Sequence, residues 1–394
     1  MIYLDNGATT FPKPECVYEA VDRFHRTAAD NPGRGAYKCA RQATEMGKEV
    51  KKQLLSLIDA RGQAEIAFTP SVTIALNQIL QGFRWKEGMC AYVSPYEHNA
   101  VLRPLKLLEE RKGIRVIELP LTEDLAIDLP RTEEMFAEEP PAVVVCTAVS
   151  NVTGYVLPAQ EVFRLAKRHG AFTVLDAAQA LGLVKMHFGQ LHADVVAFAG
   201  HKTLYATFGI AGFYIKNGVD LDVFIAGGNG IHSEDPHMPK TMPEKMECAS
   251  MDSPAIAGLA ASLEWLKTVD PWKTEAELMD YLIPQLEQIP EITIYKAPPG
   301  AQQAGVISCN LEGFRANEIA AILDATDDIA VRAGHHCAGL IHRHLADQVY
   351  DGTIRISLGA FNTKDDIDAL IQALKGIDRE VLKSIDRQVL RGNC

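Results

Sequence analysis

From residue 65 to residue 215 the chain alternates short apolar runs with longer amphipathic stretches, and this alternation leaves few folds open. The runs occupy 65–69, 89–93, 116–119, 142–147, 172–176, 195–199 and 210–215. Runs this short, rich in Val, Ile, Phe and Ala, are too brief for a buried helix and suit strands covered on both faces. The stretches between them, such as 159–169, set Leu and Ala on one helical face. Repetition of strand and helix predicts an α/β protein with a mostly parallel, seven-stranded sheet and helices packed on it.

At 226–239 the pattern gives way to a segment rich in Gly, Pro and polar residues. It is too polar for a core and too long for a plain connector, which predicts a lid over a ligand or a contact between subunits. A helical stretch at 254–268 leads into a C-terminal third with its own strands at 305–310 and 353–358. The expected organisation is a large domain over 17–260 and a smaller α+β domain made of 1–16 together with 261–394.

With 394 residues, 47% of them hydrophobic, the chain carries enough apolar material for two cores. A formal charge of -12 argues against nucleic acid or an anionic membrane as a partner. No segment approaches the roughly 20 uninterrupted apolar residues of a membrane span. Met1 to Asp5 has neither the basic nor the apolar region of a signal peptide, so a cytoplasmic location is expected. The eight cysteines, at 16, 39, 90, 146, 248, 309, 337 and 394, form no CxxC pair, which favours free thiols over a disulfide framework.

Two of the apolar runs end on groups that do chemistry. The run at 172–176 closes on Asp176, and the run at 195–199 is followed at once by Gly200-His201-Lys202. A carboxylate at the end of one strand and a lysine at the mouth of another stand where open α/β sheets hold ligands. The pair suits pyridoxal 5'-phosphate (PLP): the lysine is the covalent anchor, and the carboxylate keeps the pyridine nitrogen protonated so that the ring draws off electrons. Alone, Asp176 reads equally well as a helix N-cap, and a lone Lys202 is more often a solvated surface lysine. Cys337 stands among Gly334, His335, His336 and Gly339, company unlike an apolar core, and Arg332 nearby favours its thiolate. His335, His336, Cys337, His342 and His344 have the chemistry of zinc ligands, but their irregular spacing gives no expectation of a metal.

Taken in order, Tyr3-Leu4-Asp5-Asn6-Gly7-Ala8-Thr9-Thr10, Tyr96-Glu97-His98-Asn99, Val149 to Gly154, Leu175 to Gln179, Gly200 to Lys202, Val331 to Ala338 and Arg355 to Thr363 resemble the class V aminotransferase family of fold type I PLP enzymes. Within it they resemble the cysteine desulfurase and selenocysteine lyase branch. The resemblance implies that Lys202, Cys337 and His98 are catalytic, with His98 stacked on the cofactor ring. It implies that Asp176 holds the pyridine nitrogen, that Asn151 and Gln179 reach the phenolic oxygen, and that His201 and Thr73 hold the phosphate. Ser250 would reach the phosphate of a second subunit in a homodimer. Arg355, with Arg332 and Asn151, would take the substrate α-carboxylate.

The implied reaction converts L-cysteine to L-alanine and leaves a persulfide on Cys337 for a sulfur acceptor protein. Selenocysteine lyase, a class V aminotransferase or C–S lyase acting on another amino acid, and a non-enzymatic PLP scaffold are the competing readings. The chain departs from the family at Ala199, where a hydroxyl residue is frequent, at Pro70-Ser71-Val72, and at Lys245, where an arginine is frequent. Fewer hydroxyl donors around the phosphate predict weaker cofactor binding, and a lysine does not reproduce the two-pronged grip of a guanidinium. The short segment around Cys337 resembles the compact-loop members of the branch.

Overall fold

The computed structural model describes residues 1–28, 37–230 and 234–377; residues 231–233 of the Gly- and Pro-rich loop and Cys394 lie outside the described residues. By the packing of its residues the chain divides into two units. The larger comprises Pro12–Ala148 and Leu157–Val269, and the smaller comprises Met1–Phe11, Val149–Val156 and Asp270–Cys394. No described helix is long and apolar enough to cross a membrane.

In the larger unit seven strands form one sheet, in the order Ala64–Thr69, Ala211–Lys216, Val195–Ala199, Phe172–Asp176, Val143–Thr147, Cys90–Val93, Arg115–Glu118. Only Ala211–Lys216 runs against its neighbours. Each expected strand is present with its ends shifted by no more than one residue. Val143–Thr147 and Val195–Ala199 are buried along their whole length, which is why they read as unbroken apolar runs. The expected helices at 159–169 and 254–268 are Ala159–Lys167 and Ser253–Leu266.

Local chemistry sets where the helices begin and end. The Ser71 hydroxyl accepts from the Ile74 N–H at 3.3 Å and caps Val72–Gly82. Gly113, at φ 67°, closes Asn99–Lys112 in the left-handed region. Because six strands point the same way, Thr69, Val93, Glu118, Thr147, Asp176 and Ala199 all finish at one edge of the sheet. The loops that leave this edge carry the chemistry.

The smaller unit holds a four-stranded antiparallel sheet in the order Arg332–Gly334, Thr353–Ser357, Val306–Leu311, Ile292–Tyr295. Leu278 and Leu282 from helix Pro271–Leu286, Ile319 and Leu323 from helix Ala316–Asp327, and Leu370 from helix Lys364–Gly376 form a core with Ile307 and Ile356. Burying each such side chain contributes about 1.5–3 kcal/mol relative to leaving it exposed. The chain's second and third residues, Ile2–Tyr3, pair in parallel with Ile329–Ala330.

Val149–Val156 packs with the smaller unit, although 17–260 is expected to be one domain. The side chain of Gln303 explains this, since its Nε2 donates to Thr153 O at 3.0 Å and to Val306 O at 2.6 Å. Gly154 permits the approach: at φ 71° a Cβ would lie 2.1 Å from Val306 O and 2.2 Å from Gln303 Nε2. Gly154→Ala is therefore expected to destabilise the protein by about 3 kcal/mol in urea unfolding, and a loss under about 1 kcal/mol would count against so tight a contact.

Candidate active site

Asp176 is the last residue of Phe172–Asp176 and is buried, 4% exposed. Its Oδ1 accepts from the Ala178 N–H at 2.9 Å. Burial raises the pKa of its carboxyl, while the Ala178 hydrogen bond and the charge of Lys202 work the other way. A buried carboxyl in this position gains from a cationic hydrogen-bond donor. Gln179 is buried three residues later in the turn that follows.

Lys202 sits half-buried in the turn that leaves the neighbouring strand Val195–Ala199. Gly200 makes this turn possible, because a Cβ there would lie 2.6 Å from Ile210 O. The Ala206 N–H closes the turn onto Gly200 O at 2.9 Å, and the Tyr205 N–H donates to Lys202 O at 2.7 Å. Lys13, absent from the sequence expectations, braces the same turn by donating from Nζ to His201 O at 2.8 Å. Burial pulls the Lys13 amine down to about 7. His201 stacks on Phe208, with centroids 4.4 Å apart. Burial, helped by the charges of Lys202 and Lys13, pulls its pKa down to about 3, so the ring is neutral at pH 7.

His98 caps helix Asn99–Lys112 by accepting the Ala100 N–H on Nδ1 at 2.9 Å. This bond orients the imidazole and assigns Nδ1 as its acceptor. Thr73 is exposed in the first turn of Val72–Gly82, where backbone N–H groups favour an anion. Ser250 stands apart, exposed in the long connection between Ala211–Lys216 and Ser253–Leu266.

Beside His98 lies Glu97, a carboxyl of the same motif to which the sequence gives no expected role. Glu97 is fully buried, and its Oε1 accepts from Ser94 Oγ and from the Thr147 N–H, each at 2.5 Å. Its Oε2 has no hydrogen-bond partner among the described residues. Burial pushes its pKa up to about 8, the charge of Asp176 pushes the same way, and the two hydrogen bonds oppose. At pH 7 Glu97 therefore keeps its proton.

This has a measurable consequence for stability. The folded state retains a proton that the unfolded side chain releases near 4.5, so stability falls as pH rises from about 4.5 through about 8. Glu97→Gln keeps both acceptor bonds on its carbonyl oxygen and removes that titration. Relative to the variant, the wild type is expected to lose about 1.4 kcal/mol per pH unit over this window in urea unfolding. Equal slopes would overturn the assignment.

The candidate residues of the smaller unit form a second linked group. Cys337 is exposed on the turn between Arg332–Gly334 and Ile341–Arg343. His336 at φ 48° and Cys337 at φ 56° both occupy the left-handed region, an unfavourable state for two successive non-glycine residues. Surrounding bonds hold it: Asn151 Nδ2 donates to His336 O at 2.7 Å, and His336 Nε2 lies 2.9 Å from Thr353 Oγ1. Burial, with the charge of Arg355 next, lowers the pKa of His336 well below its ordinary value.

Arg355 is buried, and its Nη1 donates to Asn151 O at 3.1 Å. Its Nη2 meets Asp5 Oδ1 at 2.6 Å, while the more exposed Arg332 meets Asp5 Oδ2 at 3.0 Å. Both candidate carboxylate binders thus share one acid, a feature that residues some 350 positions apart did not announce. Asn151 serves here as the link between the Cys337 turn and Arg355. Among the described residues no group of three or more His, Cys, Asp or Glu is placed to hold a metal ion.

The larger unit has the donor set that PLP needs. A buried acid at a strand end, a lysine on the turn of the adjacent strand, an oriented imidazole and a helix N-terminus match its pyridine nitrogen, aldehyde, ring and phosphate. Comparison with known proteins points the same way. The aminotransferase class-V family model matches residues 2–370. A probable cysteine desulfurase of Halalkalibacterium halodurans is 32% identical over 386 residues, covering 95% of this chain and 92% of that protein. The corresponding protein of Methanothermobacter thermautotrophicus is 30% identical over 383 residues, covering 95% and 94%. Among solved structures, an apo cysteine desulfurase from Thermococcus onnurineus aligns with a TM-score of 0.87 at 28% identity, over 98% of this chain and 95% of that one. A match that runs through every motif of both units leaves one assignment: the chain belongs to the class V aminotransferase family, whose members depend on PLP.

Proposed function

We propose that this protein is a cysteine desulfurase, which takes sulfur from L-cysteine onto Cys337 and releases L-alanine. The observation that carries the reading is the setting of Cys337. It is the exposed thiol of a strained, braced turn, whereas the other described cysteines are buried or half-buried. The relatives named cysteine desulfurase, at about 30% identity over most of the chain, support the same reaction.

PLP, when bound, draws electrons away from the substrate α-carbon. Lys202 Nζ removes the α-proton and returns protons, while Asp176 holds a proton at the pyridine nitrogen. His98 would face the cofactor ring, and Gln179, His201 and Thr73 would hold its oxygen atoms. Arg355, with Arg332 and Asn151, takes the substrate carboxylate. The Cys337 thiolate attacks the substrate sulfur, and the carbon–sulfur bond breaks with its electron pair left on carbon. That carbon takes up a proton and leaves as alanine, and Cys337 keeps the sulfur as a persulfide. L-cysteine and one thiol give L-alanine and one persulfide, so no outside oxidant is needed.

The turn that carries Cys337 is short, with three residues from the end of Arg332–Gly334 to Cys337. Reach is limited on such a turn, which supports a dedicated acceptor protein and use of L-selenocysteine as a second substrate. Exposed Ser250, in a long polar connection, supports a homodimer in which it completes the partner's phosphate site. The test is to supply L-cysteine or L-selenocysteine to the purified PLP-loaded protein and measure alanine together with the mass added to the Cys337 peptide. Alanine with one extra chalcogen atom on that peptide supports the proposal. Alanine without it would mean a lyase that releases its product freely, and no alanine from either substrate would sink the reading.

A further inference from the structure

Arg332 and Arg355 are directly opposite one another across the antiparallel pair of Arg332–Gly334 and Thr353–Ser357. Like charges in that relation repel and are ordinarily destabilising. Asp5 resolves the conflict. The backbone around Asp5 runs beside Ser357, where Asn6 N–H donates to Ser357 O at 3.2 Å and Ser357 N–H donates to Leu4 O at 2.7 Å. This sets the carboxylate between the guanidinium groups, with Oδ1 2.6 Å from Arg355 Nη2 and Oδ2 3.0 Å from Arg332 Nη2 and 3.1 Å from Arg332 Nε. Gly7 closes the face of Arg355, since a Cβ there would lie 3.2 Å from Arg355 Cζ. One donor stays open: Arg355 Nε is buried with no hydrogen-bond partner among the described residues.

We propose that Asp5 is a positioning and selectivity residue, which holds the two arginines together and reduces their combined charge from two to one. A pair with a single net positive charge matches an amino acid whose only anionic group is its α-carboxylate. A substrate with a second anionic group finds the second charge already neutralised by Asp5. The inference rests on the reading that Arg355 takes the substrate carboxylate, and it adds that Asp5 decides which amino acids that arginine accepts.

The experiment uses Asp5→Asn, which preserves shape and removes the charge, in the PLP-loaded enzyme. The measurements are kcat and KM for L-cysteine, with inhibition constants for L-alanine, which has one anionic group, and L-cysteate, which has two. The variant is expected to raise KM for L-cysteine about tenfold with kcat changed far less, and to shift the inhibitor ratio about tenfold toward L-cysteate. Adding Arg332→Gln restores a net charge of one and is expected to move the ratio back toward L-alanine. A purely structural role for Asp5 would lower kcat or stability without moving that ratio. Arg355→Lys separates the two claims. If it leaves KM for L-cysteine unchanged, the carboxylate-binding reading fails; if it raises KM while Asp5→Asn moves neither KM nor the ratio, the inference about Asp5 alone fails.

Discussion

Cys337→Ala is expected to lose alanine formation from L-cysteine by about 10³-fold or more while the protein folds normally. The fold survives because the side chain is exposed and buries no apolar surface. Alanine bears the same left-handed conformation at φ 56° that cysteine already bears, so the backbone strain does not change. Stability within about 0.5 kcal/mol of the wild type is therefore expected. The chemistry has no substitute: no other described cysteine is exposed, and neither flanking histidine can accept sulfur as a persulfide. Cofactor binding is expected to be retained and visible as PLP absorbance. Undiminished alanine formation by the variant would move the protein to the lyase or aminotransferase reading.

Lys202→Ala is expected to lower turnover by at least about 10³-fold, since a positioned acid–base group contributes ~10²–10⁴-fold and the covalent anchor is lost with it. Another lysine lies close in the fold, yet it is committed. Lys13 directs its amine to His201 O at 2.8 Å, and its role in that turn keeps it from replacing Lys202. Partial recovery on adding a small primary amine, with none in a Lys202→Ala, Asp176→Ala double variant, would place the defect at proton transfer. More than about one tenth of wild-type activity in Lys202→Ala would show that another base serves.

The parts of this fold legible in the sequence are those set by local periodicity. Phe172–Asp176 and Val195–Ala199 are buried strands whose apolar runs and polar exits coincide with their observed ends, so Asp176 and Lys202 could be placed before any contact was known. His98 caps a helix, a role its motif does not announce, and capping orients its ring. Long-range pairing was not legible. Val149–Val156 joins the smaller unit through the Gln303 side chain, and nothing in those eight residues encodes that partner. Asp5 lies in a motif that gives it no expected role, because its two arginines lie far along the chain. Glu97 lies in the Tyr96–Asn99 motif without an expected role, because a carboxyl that owes its proton to burial looks in sequence like any surface glutamate.

The order of the large sheet also bears on how the chain is made. Ala64–Thr69 is an edge strand whose neighbour in the sheet is Ala211–Lys216. On a ribosome it emerges roughly 140 residues ahead of that neighbour, a wait on the order of ten seconds at ~5–20 residues per second. The inner strands Val143–Thr147, Phe172–Asp176 and Val195–Ala199 meet their neighbours much sooner, while Ile2–Tyr3 waits longest of all for Ile329–Ala330. Ala64–Thr69 and Ile2–Tyr3 therefore spend the nascent chain's vulnerable period unpaired, and they are what a chaperone would have to shield.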